Sequence, residues 1–169
     1  MEIVIIAAMT TVRGIGYRGG LPWSKEVARE DMARFKQLTT GHPIIIGHNT
    51  WQSIGATALP NRLNIVISNR HDDQPIENVV YVPDLNRALK EASQTGDETV
   101  FIIGGGEIYK QAIHIANRLE LTIIPGVYPH DTVFPIVWPD VWECRKITVV
   151  ENIQFCTYLR KQTKWDPSF

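Results

Sequence analysis

No apolar run in this chain approaches the ~20 residues that a membrane-crossing helix needs, and no stretch carries a block of like charge. Seventeen Lys and Arg against 18 Asp and Glu leave a formal net charge of -1. That balance gives no reason to expect nucleic acid or an anionic membrane as the principal partner, so electrostatic recognition has to be local. Cysteine is scarce: the two present, Cys144 and Cys156, have no His or Cys partners at ligand spacing, so neither a metal site nor a disulfide framework is expected. A hairpin turning near Glu151-Asn152 would bring them close across its ladder as small hydrophobes, reduced in a cytosolic protein. Repeats, low-complexity tracts and linkers are also missing. The apolar opening ten residues are too short and too poorly flanked for a signal peptide and read as a buried strand. The expected setting is therefore cytoplasmic.

What is present is a core-forming composition. With 169 residues, 44% hydrophobic and 21% charged, the chain can bury one sizeable core and is most simply one domain. Short β-branched runs, Ile3-Val4-Ile5-Ile6, Pro43-Ile44-Ile45-Ile46, Asn64-Ile65-Val66-Ile67, Val79-Val80-Tyr81-Val82, Val100-Phe101-Ile102-Ile103 and the run over 119–124, alternate with helical stretches over 26–40, 49–54, 84–94 and 107–115. Continuous rather than alternating hydrophobicity marks strands covered on both faces, as in a mostly parallel sheet. The last two strands, over 143–150 and 153–161, follow without a helix and form an antiparallel hairpin. The fold class is α/β, with a central mostly parallel sheet flanked by helices and an antiparallel C-terminal hairpin.

One carboxylate breaks the helical pattern. Plotted at ~100° per residue, the 26–40 segment places Ala28, Met32, Phe35, Leu38 and Thr39 on one arc and Glu26, Arg29, Glu30, Lys36 and Gln37 on the other. Asp31 falls on the apolar arc. Held there it loses hydration, its proton affinity rises, and it can bind or deliver a proton. An Asp early in a helix is otherwise explained by the dipole. The adjacent Glu30 is the rival carboxylate, but it lies about a quarter turn away on the polar arc. Before the helix comes Gly14-Ile15-Gly16-Tyr17-Arg18-Gly19-Gly20-Leu21-Pro22-Trp23, long for a strand-to-helix connection and suited to a lid or binding loop.

Ligands of an open parallel sheet lie beyond the carboxyl ends of its strands. Three exits there suit an anion. Gly104-Gly105-Gly106 opens a helix and lets backbone approach a phosphate, although it lacks the spacing of the dinucleotide fingerprint. Gly47-His48-Asn49-Thr50-Trp51 joins another strand to a helix start, and Ser68-Asn69-Arg70 supplies a hydroxyl, an amide and a guanidinium. Each alone is explained by a surface turn; together they suggest one ligand with several phosphates, such as a dinucleotide.

With those residues in place, the chain resembles dihydrofolate reductase from about Ile3 to about Leu159. The matching blocks run in order: Ile6-Ala7-Ala8; Gly16 and Leu21-Pro22-Trp23; Asp31 with Phe35-Lys36; Gly47 with Trp51; Ser53-Ile54-Gly55; Leu59-Pro60-Asn61-Arg62; Ile102-Ile103-Gly104-Gly105-Gly106 with Tyr109; Leu121-Thr122; and Asp131-Thr132-Val133-Phe134-Pro135. The resemblance implies a domain over 1–162, a tail over 163–169, and hydride transfer from NADPH to the imine of dihydrofolate with a proton added to the adjacent nitrogen. Asp31 would bond the amino-pyrimidine edge of the pterin, Thr122 supporting it through a water, and Leu21 and Trp23 would complete the catalytic set as the 16–23 loop closes. Ile6, Ala8, Met32, Phe35, Lys36, Ile54, Leu59, Ile103 and Tyr109 would line the substrate, and Arg62 would pair with the carboxylate of its glutamate tail. NADPH would lie along Ala8, Ile15, Gly16, Gly47, His48, Asn49, Thr50, Ser68, Asn69, Arg70, Gly104, Gly105, Gly106, Glu107, Ile108, Tyr109 and Thr132. No metal is implied, and the partners would be dihydrofolate and antifolate inhibitors acting on a monomer.

Departures from the family pattern have consequences. His48 replaces the usual arginine and Glu107 a position often basic, which removes positive charge near the cofactor phosphates and lowers the expected preference for NADPH over NADH. A separation of eight positions from Trp23 to Asp31, and Ala56-Thr57-Ala58 before Leu59-Pro60, alter the lid and the rim of the substrate site, so affinity for antifolates such as trimethoprim is expected to differ from that of typical bacterial enzymes. A related pyrimidine reductase of riboflavin synthesis is not expected to keep Leu21-Pro22-Trp23, Asp31 and Arg62 together. A non-catalytic nucleotide-binding relative would be expected to lose the buried carboxylate first.

Overall fold

The computed structural model describes residues 1–69 and 75–162. The expected cofactor residue Arg70 and the 163–169 tail lie outside the described residues. In chain order the elements are β1 (Glu2–Thr10), β2 (Gly14–Gly16), α1 (Arg29–Thr39), β3 (Ile44–Gly47), α2 (His48–Ser53), β4 (Asn64–Ile67) and β5 (Val79–Val82). They continue as α3 (Leu85–Gln94), β6 (Thr99–Gly104), α4 (Gly106–Ala112), β7 (Arg118–Ile124), β8 (Thr132–Val133), β9 (Trp142–Val150) and β10 (Ile153–Arg160).

The β-branched runs pair into one eight-stranded sheet in the order β5-β4-β3-β6-β1-β7-β10-β9. Neighbours from β5 to β7 are parallel, and β10 joins β7 and β9 antiparallel. Both faces of the central parallel strands are buried, which is why they read as unbroken apolar runs, whereas the edge strand β9 is largely exposed. Ile5, Ala7, Met9, Ile45, Ile65, Ile102, Leu119 and Leu121 pack on one face with residues of α3 and α4. On the opposite face Val4, Ile6, Ile44 and Phe101 meet Phe35 and Leu38 of α1, while Ile46 and Val66 meet Trp51 of α2.

Helix ends depart from the expected spans for identifiable reasons. α1 begins at Arg29 rather than 26, because Ala28 stands at the N-cap and is nearly fully buried beside Trp23. It ends where the Thr39 and Thr40 hydroxyls donate back to the Phe35 and Lys36 carbonyls (2.8 and 2.6 Å), the second of which also accepts the Thr40 backbone N–H at 3.1 Å. α3 starts as its composition suggests: Asp84 caps it by accepting from the Arg87 N–H at 2.8 Å. α4 is shorter than the expected 107–115, stopping at Ala112.

The hairpin turns through Glu151 and Asn152, both at positive φ (47° and 71°), the conformation of a two-residue type I′ turn. Its register sets the cysteines diagonally rather than directly opposite, Cys156 facing Ile147 and Cys144 facing Tyr158, and they stay near enough for Cys144 to act on the Cys156 thiol, which burial chiefly raises. Both thiols are free; Cys156 is buried as expected of a small hydrophobe, but Cys144 is exposed. One pairing was not anticipated. The 14–23 loop is anchored by an antiparallel contact of β2 with β8, a ladder too short and too glycine-rich to show as periodicity.

Candidate active site

A crevice opens where the central strands part. β1 pairs with β6 only as far as Ile5 and Ile102, whereas it stays paired with β7 to Thr10. The chain leaves β1 toward α1 on one face and leaves β6 into α4 on the other, the arrangement that places ligands at a switch point. Tyr109 of α4 spans the gap, its hydroxyl donating to the Ile6 carbonyl at 2.9 Å. Complete burial, with the Asp31 charge adding to it, pushes the Tyr109 hydroxyl far above its ordinary range and keeps it a neutral donor.

Asp31 sits in the first turn of α1, half-buried on the crevice side. Burial raises its pKa, with the Thr122 hydroxyl and the Arg34 cation pulling the other way. Thr122 stands in β7 with its side chain toward α1, and its Oγ1 is buried without a direct hydrogen-bond partner among the described residues. Thr122 lies close enough to the carboxyl to lower its pKa, although the pair does not meet the geometry of a direct hydrogen bond. Glu30 is also partly buried but faces Arg29, with a nitrogen to oxygen separation of 3.9 Å.

A second part of the crevice is built from glycines. A Cβ on Gly47 would come within 2.9 Å of Ile108 Cγ1 and 3.3 Å of the Gly105 nitrogen, and one on Gly105 within 2.6 Å of Thr50 Oγ1. The two strand ends therefore approach backbone to backbone, with the starts of α2 and α4 side by side. Gly106 lies as close to Thr132 and near Ile15, which brings the 14–23 loop to the same place. His48 Nδ1 is 3.0 Å from Ser68 Oγ, joining the ends of β3 and β4; Asn69 beside it is exposed. Glu107 points to solvent and pairs with Lys110 at 2.6 Å.

At the far rim, Arg62 is 8% exposed and has no carboxylate partner among the described residues. Its Nε donates to the Pro60 carbonyl at 2.9 Å and its Nη1 to Thr39 Oγ1 at 2.6 Å. Three of the five guanidinium N–H groups stay available. Met32 and Ile54 are 51% and 39% exposed apolar side chains, while Phe35, Leu59, Ile103 and Ala8 are partly buried. Lys36 is exposed on α1, and Leu21 is 55% exposed in the 14–23 loop. Trp23 is buried against Ala28, Ile124 and Ile153, with its Nε1 unpartnered among the described residues.

Sequence reasoning gives no role to Arg34, Glu120 or Asp131. Arg34 of α1 ion-pairs with Glu120 of β7, which also accepts from Thr157 Oγ1 at 2.8 Å. The available signal was Glu120 itself, a charge set inside the apolar run around it. Asp131 was noticed only as part of a motif; its carboxylate accepts the Arg18 N–H at 2.8 Å and ties down the loop.

A half-buried carboxyl at a sheet switch point, beside a glycine cradle fit for a phosphate, defines the class: an α/β nucleotide-dependent enzyme. Residues 2–160 match the family model described as dihydrofolate reductase, and the chain belongs to that family. It is 32% identical to dihydrofolate reductase HdrB of Haloferax volcanii over 169 residues, covering 96% of this chain and 85% of that protein. It is 39% identical to dihydrofolate reductase type 3 of Salmonella typhimurium over 135 residues, covering 80% and 79%. Among solved structures, dihydrofolate reductase from Enterococcus faecalis, complexed with NADP(H) and RAB-propyl, superposes with a TM-score of 0.80 at 27% identity, covering 95% of this chain and 97% of that one.

Proposed function

We propose that this protein reduces 7,8-dihydrofolate to 5,6,7,8-tetrahydrofolate with NADPH. The observation that carries the reading is the raised Asp31 carboxyl facing the unpartnered Thr122 hydroxyl in the switch-point crevice. Those two groups suit the amino and ring N–H donors of a pterin. Arg62, a buried cation without a counter-ion among the described residues, suits the carboxylate of the glutamate tail, since an uncompensated buried charge is costly and a carboxylate removes the cost. Met32, Phe35, Ile54 and Leu59 line the space between the two ends, Ile6, Ala8 and Ile103 flank the pterin, and Lys36 stands at the outer edge.

The cradle fits a dinucleotide: side chains at 47, 105 and 106 would fill the space where backbone N–H groups meet phosphates. Asn49 and Thr50 at the start of α2, with Glu107 and Ile108 in α4, flank it; Ser68, Asn69 and His48 lie where the adenosine 2′-phosphate would be read, with Arg70 following them in sequence. When bound, NADPH supplies the hydride that goes to the pterin imine carbon. Asp31 lends negative charge beside the pterin and favours the proton on the adjacent ring nitrogen. Ile15, Gly16, Leu21 and Trp23 of the lid, anchored through Thr132, exclude water from the reacting atoms. With balanced charge and small-molecule ligands, we assign it to the cytoplasm as a monomer open to antifolate inhibitors.

The test is NADPH oxidation followed by absorbance with dihydrofolate present, beside NADH and the Asp31→Asn variant. Turnover that falls at least about a hundredfold in the variant is the expected result. A folded protein that binds NADPH but leaves dihydrofolate unreduced would overturn the assignment.

A further inference from the structure

The side of α1 away from the crevice holds a buried polar network that reaches Asp31 through one turn of helix. Strand register places Ile6, Glu120 and Thr157 in one row across the sheet, and Ala8, Thr122 and Phe155 in the next. Glu120 and Thr122, two apart in β7, therefore stand on the same face, the one α1 covers. Asp31 addresses Thr122. Three residues later on the same helix, Arg34 addresses Glu120, and its guanidinium lies 5.0 Å from the centroid of the Phe155 ring.

Glu120 is held from three directions: Arg34 and Thr157 bond Oε2, while Arg118 meets Oε1 at 3.2 Å and is itself fastened to Glu2 at 3.1 Å. The Glu120 and Arg34 side chains are only 5% and 17% exposed. Arg34 Nη1 and Arg118 Nε stay buried without partners among the described residues. A buried ion pair of this kind adds little stability over well-packed apolar residues and leaves desolvated donors behind. What it does supply is direction. The apolar contacts of α1, Phe35 and Leu38, lie on the β6 and β3 side and tolerate small rotations of the helix; a planar guanidinium on a clamped carboxylate does not.

We infer that Glu120 and Arg34 are positioning residues that set the rotation of α1 and so hold the Asp31 carboxyl at Thr122. The inference deepens the proposed reduction and rests on Asp31 being its proton-handling group. Thr122 from β7 and Arg34 on its own helix act on that carboxyl, which acts in turn on Tyr109 of α4; Glu30 is adjacent to it and Glu120 lies behind Arg34. Arg34→Met removes the cation that acts on Asp31 and leaves Glu120 with Arg118 alone as its ion-pair partner, so the proton affinity of Asp31 rises. Glu120→Gln keeps the shape and frees the cation, so the affinity falls.

The experiment is an NMR titration of the Asp31 carboxyl in ligand-free protein, assigned with Asp31→Asn, beside the pH profile of kcat/KM for dihydrofolate. Opposite shifts in Arg34→Met and Glu120→Gln are expected. Arg34→Lys should keep the titration near its original position yet lose about tenfold in kcat/KM, because the charge remains while the fork that fixes the helix is gone. Unmoved titrations, or shifts of the same sign in both variants, would overturn the positioning role; Glu120→Gln, being isosteric, decides the matter if Arg34→Met does not fold. An original protein that fails to reduce dihydrofolate would instead remove the proposed function, whatever the titrations show.

Discussion

Asp31 opposes two demands at one residue. Its pKa is raised in the folded protein, so the native state prefers it protonated, and above that pKa the buried charge weighs against folding. The burden is relieved as pH falls through the folded value. Asp31→Asn is therefore expected to raise Tm at pH 8, with the gain shrinking on acidification, while turnover collapses; scanning calorimetry across pH checks the sign. At the cofactor end, His48 meets Ser68 through one nitrogen. His48→Arg places a permanent cation there, worth about 1.5 kcal/mol in a charge-assisted bond, so the ratio of kcat/KM for NADPH over NADH should rise about tenfold. Asp31 was readable beforehand because one carboxylate interrupts a helical stripe. Arg34 was not, since its arc of the helix looks like a solvated face until β7 supplies Glu120 from 86 residues away.

Among the elements, strands were more legible than helix ends. A buried strand announces itself through β-branched runs, whereas the start of α1 depends on Ala28 packing beside Trp23, a contact between segments. The C-terminal hairpin was readable in both position and turn, and its turn is also improvable. Glu151 and Asn152 occupy left-handed backbone without glycine, at a cost of roughly 1 kcal/mol. Replacing them with Asn and Gly, the residues that type I′ turns favour, should raise Tm by about 2–4 °C. An unchanged melting curve would mean the hairpin is already at its optimum. The β2 and β8 pairing could not be foreseen, because so few residues have no period; the Asp131 N–H to the Gly16 carbonyl, the Phe134 N–H to the Arg13 carbonyl and the Arg18 N–H to the Asp131 carboxylate hold the two segments together.

Over the whole molecule, ligand binding and stability are coupled. A cofactor that binds only the folded state, present at a hundred times its Kd, adds about 2.7 kcal/mol, so NADPH should raise Tm by several degrees. Gly47→Ala should abolish most of that rise, since its Cβ meets Ile108 and the Gly104-Gly105 backbone, which cannot yield without opening the cradle. A full thermal shift in that variant would place the phosphates elsewhere.

Local chemistry, legible in one dimension, was enough for the sheet-forming runs, the odd carboxylate and the three glycine or polar exits, because periodicity and conformational preference act between near neighbours in the chain. Which exits meet, and what lies behind the carboxylate, depended on strand order. β6 inserted between β3 and β1 brings Gly105 to Thr50, and β7 laid beside β1 brings both Thr122 and Glu120 under α1. Those adjacencies come from burying both faces of one sheet, a condition that the chain meets only when folded as a whole.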